Sequence, residues 1–174
     1  MNITSTAVAN NSLTIVSFLA IATVLSGGGG WLIKTGNLPL SDVITFSERQ
    51  WQFMRIWLRV ALVIGVIVPF VMLITLWNQS IVRQFLGSYL GVVAIQLVCE
   101  VSFSRLFVKS VVVIIGTIYT IFRLWQLWEG LHLANYTQVE LGLLWLILLF
   151  WVANLIILIF MSIPSIVHKS EHVT

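Results

Sequence analysis

The sequence predicts an all-α integral membrane protein, a bundle of four to five transmembrane helices, and three observations lead to this fold class. Of its 174 residues, 59% are hydrophobic and only 9% are charged, which is too little polar surface to cover a water-soluble domain. The mean hydropathy is +1.04. Spans of roughly 20 residues each, the length that crosses a hydrocarbon core, use up most of the chain. Residues 1–174 are therefore predicted to form a single membrane domain.

The apolar segments are separated by short polar stretches that contain the loop-forming residues. They predict spans at about 13–33, 60–77, 81–103, 110–128 and 141–163, with an amphipathic interfacial segment at about 47–59. The first span contains Gly27 to Gly30, and each glycine weakens a helix interior by about 1 kcal/mol relative to alanine. We expect a distorted span there, with a tight helix crossing or a re-entrant segment as alternatives.

Local signals mark where individual helices begin, bend and end. Ser47 followed by Gln50 is typical of a capped helix start. Pro69 is expected to kink the second span, and Pro164 is expected to end the fifth. A short polar turn at residues 78–80 predicts that the second and third spans form a tight antiparallel hairpin.

The basic residues indicate the orientation of the chain. Seven of the nine fall on one side of a five-span arrangement, namely Lys34, Arg49, Arg55, Arg59, Arg105, Lys109 and Lys169. Cytoplasmic loops carry an excess of Lys and Arg, so this distribution places the N-terminus outside and the C-terminus in the cytoplasm or its stromal equivalent. The orientation of spans two to five is the same whether or not the first segment crosses.

Polar side chains inside the apolar segments are the candidate functional residues. They are Arg59, Gln96, Glu100, Thr117, Arg123 and Asn154, with Thr120 close by. Charged groups at membrane depth cost about 2.5–3.5 kcal/mol on the insertion scale, so they tend to be paired or functional. Glu100 is expected to form an ion pair or to reach the inner interface, with a transport or proton-relay role as the alternative. Arg123 is expected to extend its stem to the outer interface.

Two pairings follow from depth and register. Gln96 and Asn154 fall at similar depth, and Asn154 is expected opposite Thr117 or Gln96, where a hydrogen bond would join the helices. In a hairpin centred between residues 79 and 80, Glu100 lies opposite Arg59. That carboxylate and guanidinium are expected to form charge-assisted hydrogen bonds at the inner end of the hairpin.

Several function classes find no support in the residue pattern. No catalytic motif occurs, so an enzyme is not predicted, and scattered basic residues make no nucleic-acid patch. A single cysteine, Cys99, excludes intrachain disulfides and cysteine-rich metal sites. Lipid contacts are expected and no cofactor is predicted. Chlorophyll stays open as an alternative, with an axial ligand drawn from His132, Glu100, Gln96 or Asn154.

The composition favours a non-catalytic integral subunit, or an assembly or stabilising factor, of a larger membrane complex. Its expected partners are the lipid bilayer and other membrane subunits or a second copy of the chain, and Gly87 and Gly91 match a close-packing motif. The alternative is a small oligomeric transporter or channel with Glu100 in the pathway. A pathway needs several polar groups converging on one lining, whereas a subunit needs polar groups satisfied in pairs.

The orientation can be tested by cysteine labelling in sealed vesicles. Cysteines placed at Thr6 and Thr137 should react with an impermeant reagent from outside, and one at Ser170 only from the cytoplasmic side, because the positive-inside rule sets this topology. The unsubstituted chain, with Cys99 inside an apolar segment, gives the background. The opposite labelling pattern would overturn the orientation.

Overall fold

The computed structural model describes the backbone of residues 3–167 and the side chains of residues 13–167. Within that range the chain is helical and has no strand, which confirms the all-α class. Five helices are long and apolar enough to cross a membrane. They are α1 (Ile3–Lys34), α2 (Glu48–Thr75), α3 (Ser80–Leu106), α4 (Val111–Leu131) and α5 (Gln138–Val167). The side chain of Thr6, and all of Lys169 and Ser170, lie outside the described part.

Helix α1 runs as one unbroken α-helix through its four glycines, so the distortion expected there and the re-entrant alternative are both wrong. The glycines instead allow a close approach to other helices. A Cβ atom on Gly30 would lie 2.9 Å from the ring of Phe107, and one on Gly29 would lie 3.3 Å from Ile114. Small residues at a helix crossing let backbones pack closely, and this is the tight crossing expected as one alternative.

Helix α2 begins with the capping box expected from the sequence. Ser47 accepts a hydrogen bond from the backbone of Gln50, whose side chain accepts one from the backbone of Ser47. The helix then continues to Thr75, so the amphipathic segment and the second span form one helix that starts well before residue 60. No residue of its first half, Glu48–Leu62, is buried.

The two helical prolines, Pro69 and Pro164, each lie just after a short π-helical stretch. One stretch is Val63–Ile67 before Pro69, and the other is Leu158–Ser162 before Pro164. Proline has no N–H and its ring clashes with the carbonyl four residues earlier, and a wider turn relieves that conflict. Helix α5 therefore continues past Pro164, and the prediction that this residue ends the span is wrong.

The π-helical stretch in α2 connects three helices. Pro69 cannot donate to the carbonyl of Gly65, and the hydroxyl of Tyr89 on α3 donates to that carbonyl at 2.9 Å instead. The indole Nε1 of Trp151 on α5 donates to the same hydroxyl at 2.7 Å. A Cβ atom on Gly65 would lie 2.7 Å from the Trp151 ring, so glycine lets the two helices meet there.

Helix α4 is central to the bundle. Half of the residues in its most apolar 18-residue stretch are buried, against 17% in the corresponding stretches of α1 and α2. Helix α4 packs against α1, α3 and α5. One apolar cluster joins the second half of α2 to α3, α4 and α5, and includes Phe85, Leu86, Tyr89 and Ile147. In a second cluster, around Tyr119 and Phe122, α1 packs against α3 and α4.

The loop between α1 and α2 closes one end of the bundle, which we call the loop end. The backbone N–H of Ser41 donates to the carbonyl of Ile166, and the Thr45 hydroxyl donates to the carbonyl of Ser165, each at 2.6 Å. These carbonyls lie in the last described turn of α5. The loop therefore positions the start of α2 beside the end of α5.

The predicted pair of Arg59 and Glu100 is wrong. The turn of the hairpin spans the four residues between Thr75 and Ser80, earlier than expected, and Tyr89 lies across from Gly65. The π-helical stretch also shifts the register, and the first half of α2 diverges from α3. Arg59 is exposed, and the single ion pair among the described residues joins Arg55 to Glu48 at 3.7 Å.

The docking of α1 generates a stability prediction with a matched control. Gly30→Ala should lower the free energy of unfolding by about 1–3 kcal/mol, the usual cost of overpacking, because the new methyl group meets Phe107. Gly28→Ala places its methyl group in open space and should be neutral or stabilising by up to about 1 kcal/mol through helix propensity. Thermal unfolding in detergent compares the two. Equal effects would contradict the α1 position.

Candidate functional site

A cavity of about 360 Å³ lies where the first half of α2 diverges from the bundle. Helices α3, α4 and α5 form its other walls, and Phe46 lines it at the loop end. Most of the lining is apolar, and includes Trp51, Met54, Trp57, Leu58, Ala61, Val66, Val93, Leu97, Gly116 and Ile157. The polar lining is Gln96, Glu100, Thr120, Arg123, Asn154 and Ser162. The structure thus brings four of the six candidate residues to one cavity.

The other two candidates lie elsewhere or make only local bonds. Arg59 is exposed on α2 and does not line the cavity. Thr117 on α4 donates to the carbonyl of Val113 in its own helix at 2.8 Å. Neither residue therefore contributes a polar contact between helices in the described structure.

A chain of hydrogen bonds links Arg123, Gln96 and Glu100. The guanidinium Nη2 of Arg123 donates to the amide oxygen of Gln96, and the amide nitrogen of Gln96 donates to a carboxylate oxygen of Glu100. Gln96 and Glu100 are four residues apart on α3 and so share one helical face. The amide of Gln96 thus lies between the two charged groups, and Glu100 is linked to Arg123 only through this amide.

Arg123 does not reach the outer interface, so that prediction is wrong. Its side chain is 2% exposed, and its guanidinium lies over the Trp151 ring, 4.1 Å from the ring centroid. The inward face of α4 explains this position, because Thr120 and Arg123 are three residues apart and both point into the bundle. The Nε atom of Arg123 is buried and has no hydrogen-bond partner among the described residues.

Asn154 faces the bundle interior as expected, but its partners differ from those predicted. Its amide nitrogen donates to the hydroxyl of Thr120 at 3.1 Å, and its amide oxygen accepts from the indole of Trp57 at 2.8 Å. Thr120 lies about one helical turn from Thr117, and Gln96 makes no hydrogen bond to Asn154. Asn154 therefore joins α2, α4 and α5.

Three residues at or beside the site were not predicted as site residues from the sequence. Trp57 lies in the segment expected to be amphipathic and interfacial, which hides its role as a donor inside the bundle. Tyr89 gives no signal, since nothing in the sequence around it in α3 marks a partner for its hydroxyl. Trp151 could have been found, because it is the one tryptophan placed deep in a predicted span.

The donor set limits the chemistry of this cavity. Among the described residues no group of three or more His, Cys, Asp or Glu could hold a metal ion. The acceptor oxygens of Gln96 and Asn154 already accept from Arg123 and Trp57, and His132 is exposed in a turn. The contacts of Gln96 and Asn154 do not test the fourth candidate ligand, Glu100, so the chlorophyll alternative stays a prediction. The main polar feature of the cavity is therefore the buried guanidinium of Arg123, which has N–H groups without an acceptor among the described residues and lies among mostly apolar walls.

The described chain is a five-helix bundle with helices long and apolar enough to cross a membrane, and it holds a polar cluster in an apolar cavity. Comparison with family models, with curated protein sequences and with solved structures found no match. The geometry of the cavity is therefore the basis for a functional proposal.

The Asn154 contacts give a matched test on one helix. Thr120→Val removes the acceptor of Asn154 and should cost about 0.5–1.5 kcal/mol of stability, the usual range for one hydrogen bond. Thr117→Val removes only a bond within α4 and should cost less than about 0.5 kcal/mol. Denaturant unfolding in micelles measures both. A larger loss of stability for Thr117→Val than for Thr120→Val would instead support Thr117 as the partner of Asn154, as expected from the sequence.

Proposed function

We propose that this chain is a non-catalytic integral membrane protein that binds a small, mostly apolar molecule inside its helical bundle. The observation that carries the proposal is the cavity of about 360 Å³, which lies within the usual size range of ligand sites. Its apolar walls with a few convergent polar groups match the composition of such sites. In this proposal the five helices cross the bilayer with the N-terminus outside, as the basic residues indicate.

The mouth of the cavity supports access from the membrane. Four lining residues have large exposed fractions, 42% for Trp51, 60% for Leu58, 54% for Leu62 and 52% for Leu97, and they lie on α2 and α3. An opening edged by these apolar side chains faces lipid more favourably than water. A ligand dissolved in the bilayer could therefore pass between the two helices without crossing a polar surface.

The other half of the bundle argues against a continuous transport pathway. Trp151 lines the cavity and joins Tyr89 and Gly65 in a hydrogen-bonded layer at that side of it. The apolar cluster around Phe85 and Ile147 continues from that layer toward the far end of α3. A channel would need this packed half to open, so binding fits the geometry better than conduction.

The subunit hypothesis remains the second candidate, and one observation favours it. Gly87 and Gly91 are exposed on α3, and a Cβ atom on either would meet nothing within 4 Å. This close-packing motif is therefore not used between helices within the described part of the chain. Another membrane helix could pack on it closely, and recovery of a co-purifying membrane protein that is lost on Gly87→Leu would favour this second function.

Photolabelling tests the binding proposal. A decanol derivative that carries a photoreactive diazirine, added to the protein in lipid nanodiscs, should label peptides that line the cavity, including the one with Met54. Ala61→Phe fills the cavity and should lower that labelling by roughly tenfold, equivalent to about 1.4 kcal/mol.

The control is Ala94→Phe, the same change at an exposed position of α3 outside the cavity, which should label normally. Labelling spread evenly over all exposed faces and unchanged by Ala61→Phe would refute the binding site.

A further inference from the structure

We propose that the ligand is a single-chain amphiphile with a carboxylate headgroup, and that Arg123 binds this headgroup. The inference rests on the proposed function, because it assigns a ligand class to the same cavity. Three features carry it: the unused donors of Arg123, the absence of a direct carboxylate partner for it among the described residues, and the apolar remainder of the cavity wall.

The guanidinium of Arg123 is buried with part of its hydrogen-bonding capacity unused. Arginine has five N–H donors in a planar fork that matches a carboxylate. In the described structure Nη2 donates to Gln96, and Nε has no partner. Nε itself is closed off from the cavity, so an oxygen ligand would accept from the other N–H groups of Nη1 and Nη2, which donate to no described residue except Gln96.

The charge of Arg123 is compensated only indirectly. The single ion pair of the described residues, Arg55 with Glu48, lies on exposed α2, and Glu100 reaches Arg123 only through the amide of Gln96. The Trp151 ring supplies a cation–π contact but accepts no conventional hydrogen bond. A buried charge is stable when it is paired, and a ligand anion would provide the direct pair.

Glu100 restricts the charge and orientation of the ligand. It lies one helical turn along α3 from Gln96 and lines the same cavity, so it repels an anion placed beside it. A headgroup at Arg123 is separated from that carboxylate by Gln96. A singly charged carboxylate meets less repulsion than a phosphate, which carries more negative charge at neutral pH.

The other walls of the cavity determine the chemistry of the ligand beyond its headgroup. Leu58, Val93 and Leu97 offer no donors or acceptors in their side chains, Met54 offers only a weakly accepting thioether, and the mouth lies between α2 and α3. An alkyl chain running from Arg123 toward that mouth would bury its surface against them. A small free anion would leave this apolar volume unfilled, so the apolar tail belongs to the ligand.

The closing experiment uses competition against the photoreactive decanol described above, with the protein in nanodiscs. Decanoate should displace the label at least about tenfold better than 1-decanol, since a charge-assisted hydrogen bond contributes more than a neutral one. In Arg123→Gln this preference should disappear while decanol labelling persists. Arg59→Gln, the same change at an exposed arginine that does not line the cavity, should keep it.

A second variant guards against misfolding of Arg123→Gln. Gln96→Glu gives Arg123 a carboxylate from the chain itself and should also abolish the decanoate preference. Equal competition by decanoate and decanol in the natural sequence would overturn the carboxylate inference and leave the binding proposal standing.

The remaining outcomes also separate the two proposals. If decylamine displaced the label better than decanoate, the headgroup site would be assigned to Glu100. If acetate displaced the label as well as decanoate does, the site would bind a free anion without an alkyl chain. Either result would overturn the inference. Absence of any cavity labelling by the decanol probe would refute the proposed function itself.

Discussion

The hydroxyl of Tyr89 makes the contact on which the rest of the bundle depends. It donates to the Gly65 carbonyl and accepts from the Trp151 indole, so it joins α2, α3 and α5 at one level. Pro69 creates this requirement, because it cannot pair with that carbonyl in the helix. In an apolar enclosure each of these groups would be costly if left unpaired, so the network holds the three helices in one register. It also divides the packed half from the half that contains the cavity.

The buried charge of Arg123 is the second constraint, and it explains why the cavity is not filled with apolar side chains. The guanidinium rests on the Trp151 ring, which Tyr89 and Gly65 already position, and it donates to Gln96. These contacts compensate the charge partly and still leave donors open. A protein core built for stability alone would place an apolar residue here, since replacing buried ionic groups by well-packed apolar ones is often stabilising. The buried arginine is therefore the feature on which our binding proposal rests.

Sequence reasoning reached the helical class, the capped start of α2 and most of the polar residues that line the cavity, because composition, capping pattern and isolated polar groups are local signals. It could not reach the register of the hairpin, since a π-helical stretch changes helix phase without changing the hydrophobic pattern. It also missed the direction of Arg123. Helix α4 is apolar on nearly all sides, so periodicity does not show which face is inside, and the long stem of arginine fits either orientation.

The ligand-binding and subunit proposals are compatible, because they use neighbouring parts of α3. Leu97 edges the mouth of the cavity, while Gly91 lies less than two helical turns away on an exposed part of the same helix. A partner helix packed along Gly87 and Gly91 would run beside that mouth. The hydrogen-bonded layer around Tyr89 lies on the opposite side, so in our proposal a bound molecule leaves past α2 or toward such a partner. This asymmetry of the bundle is the reason why we propose binding beside a partner and not passage across the membrane.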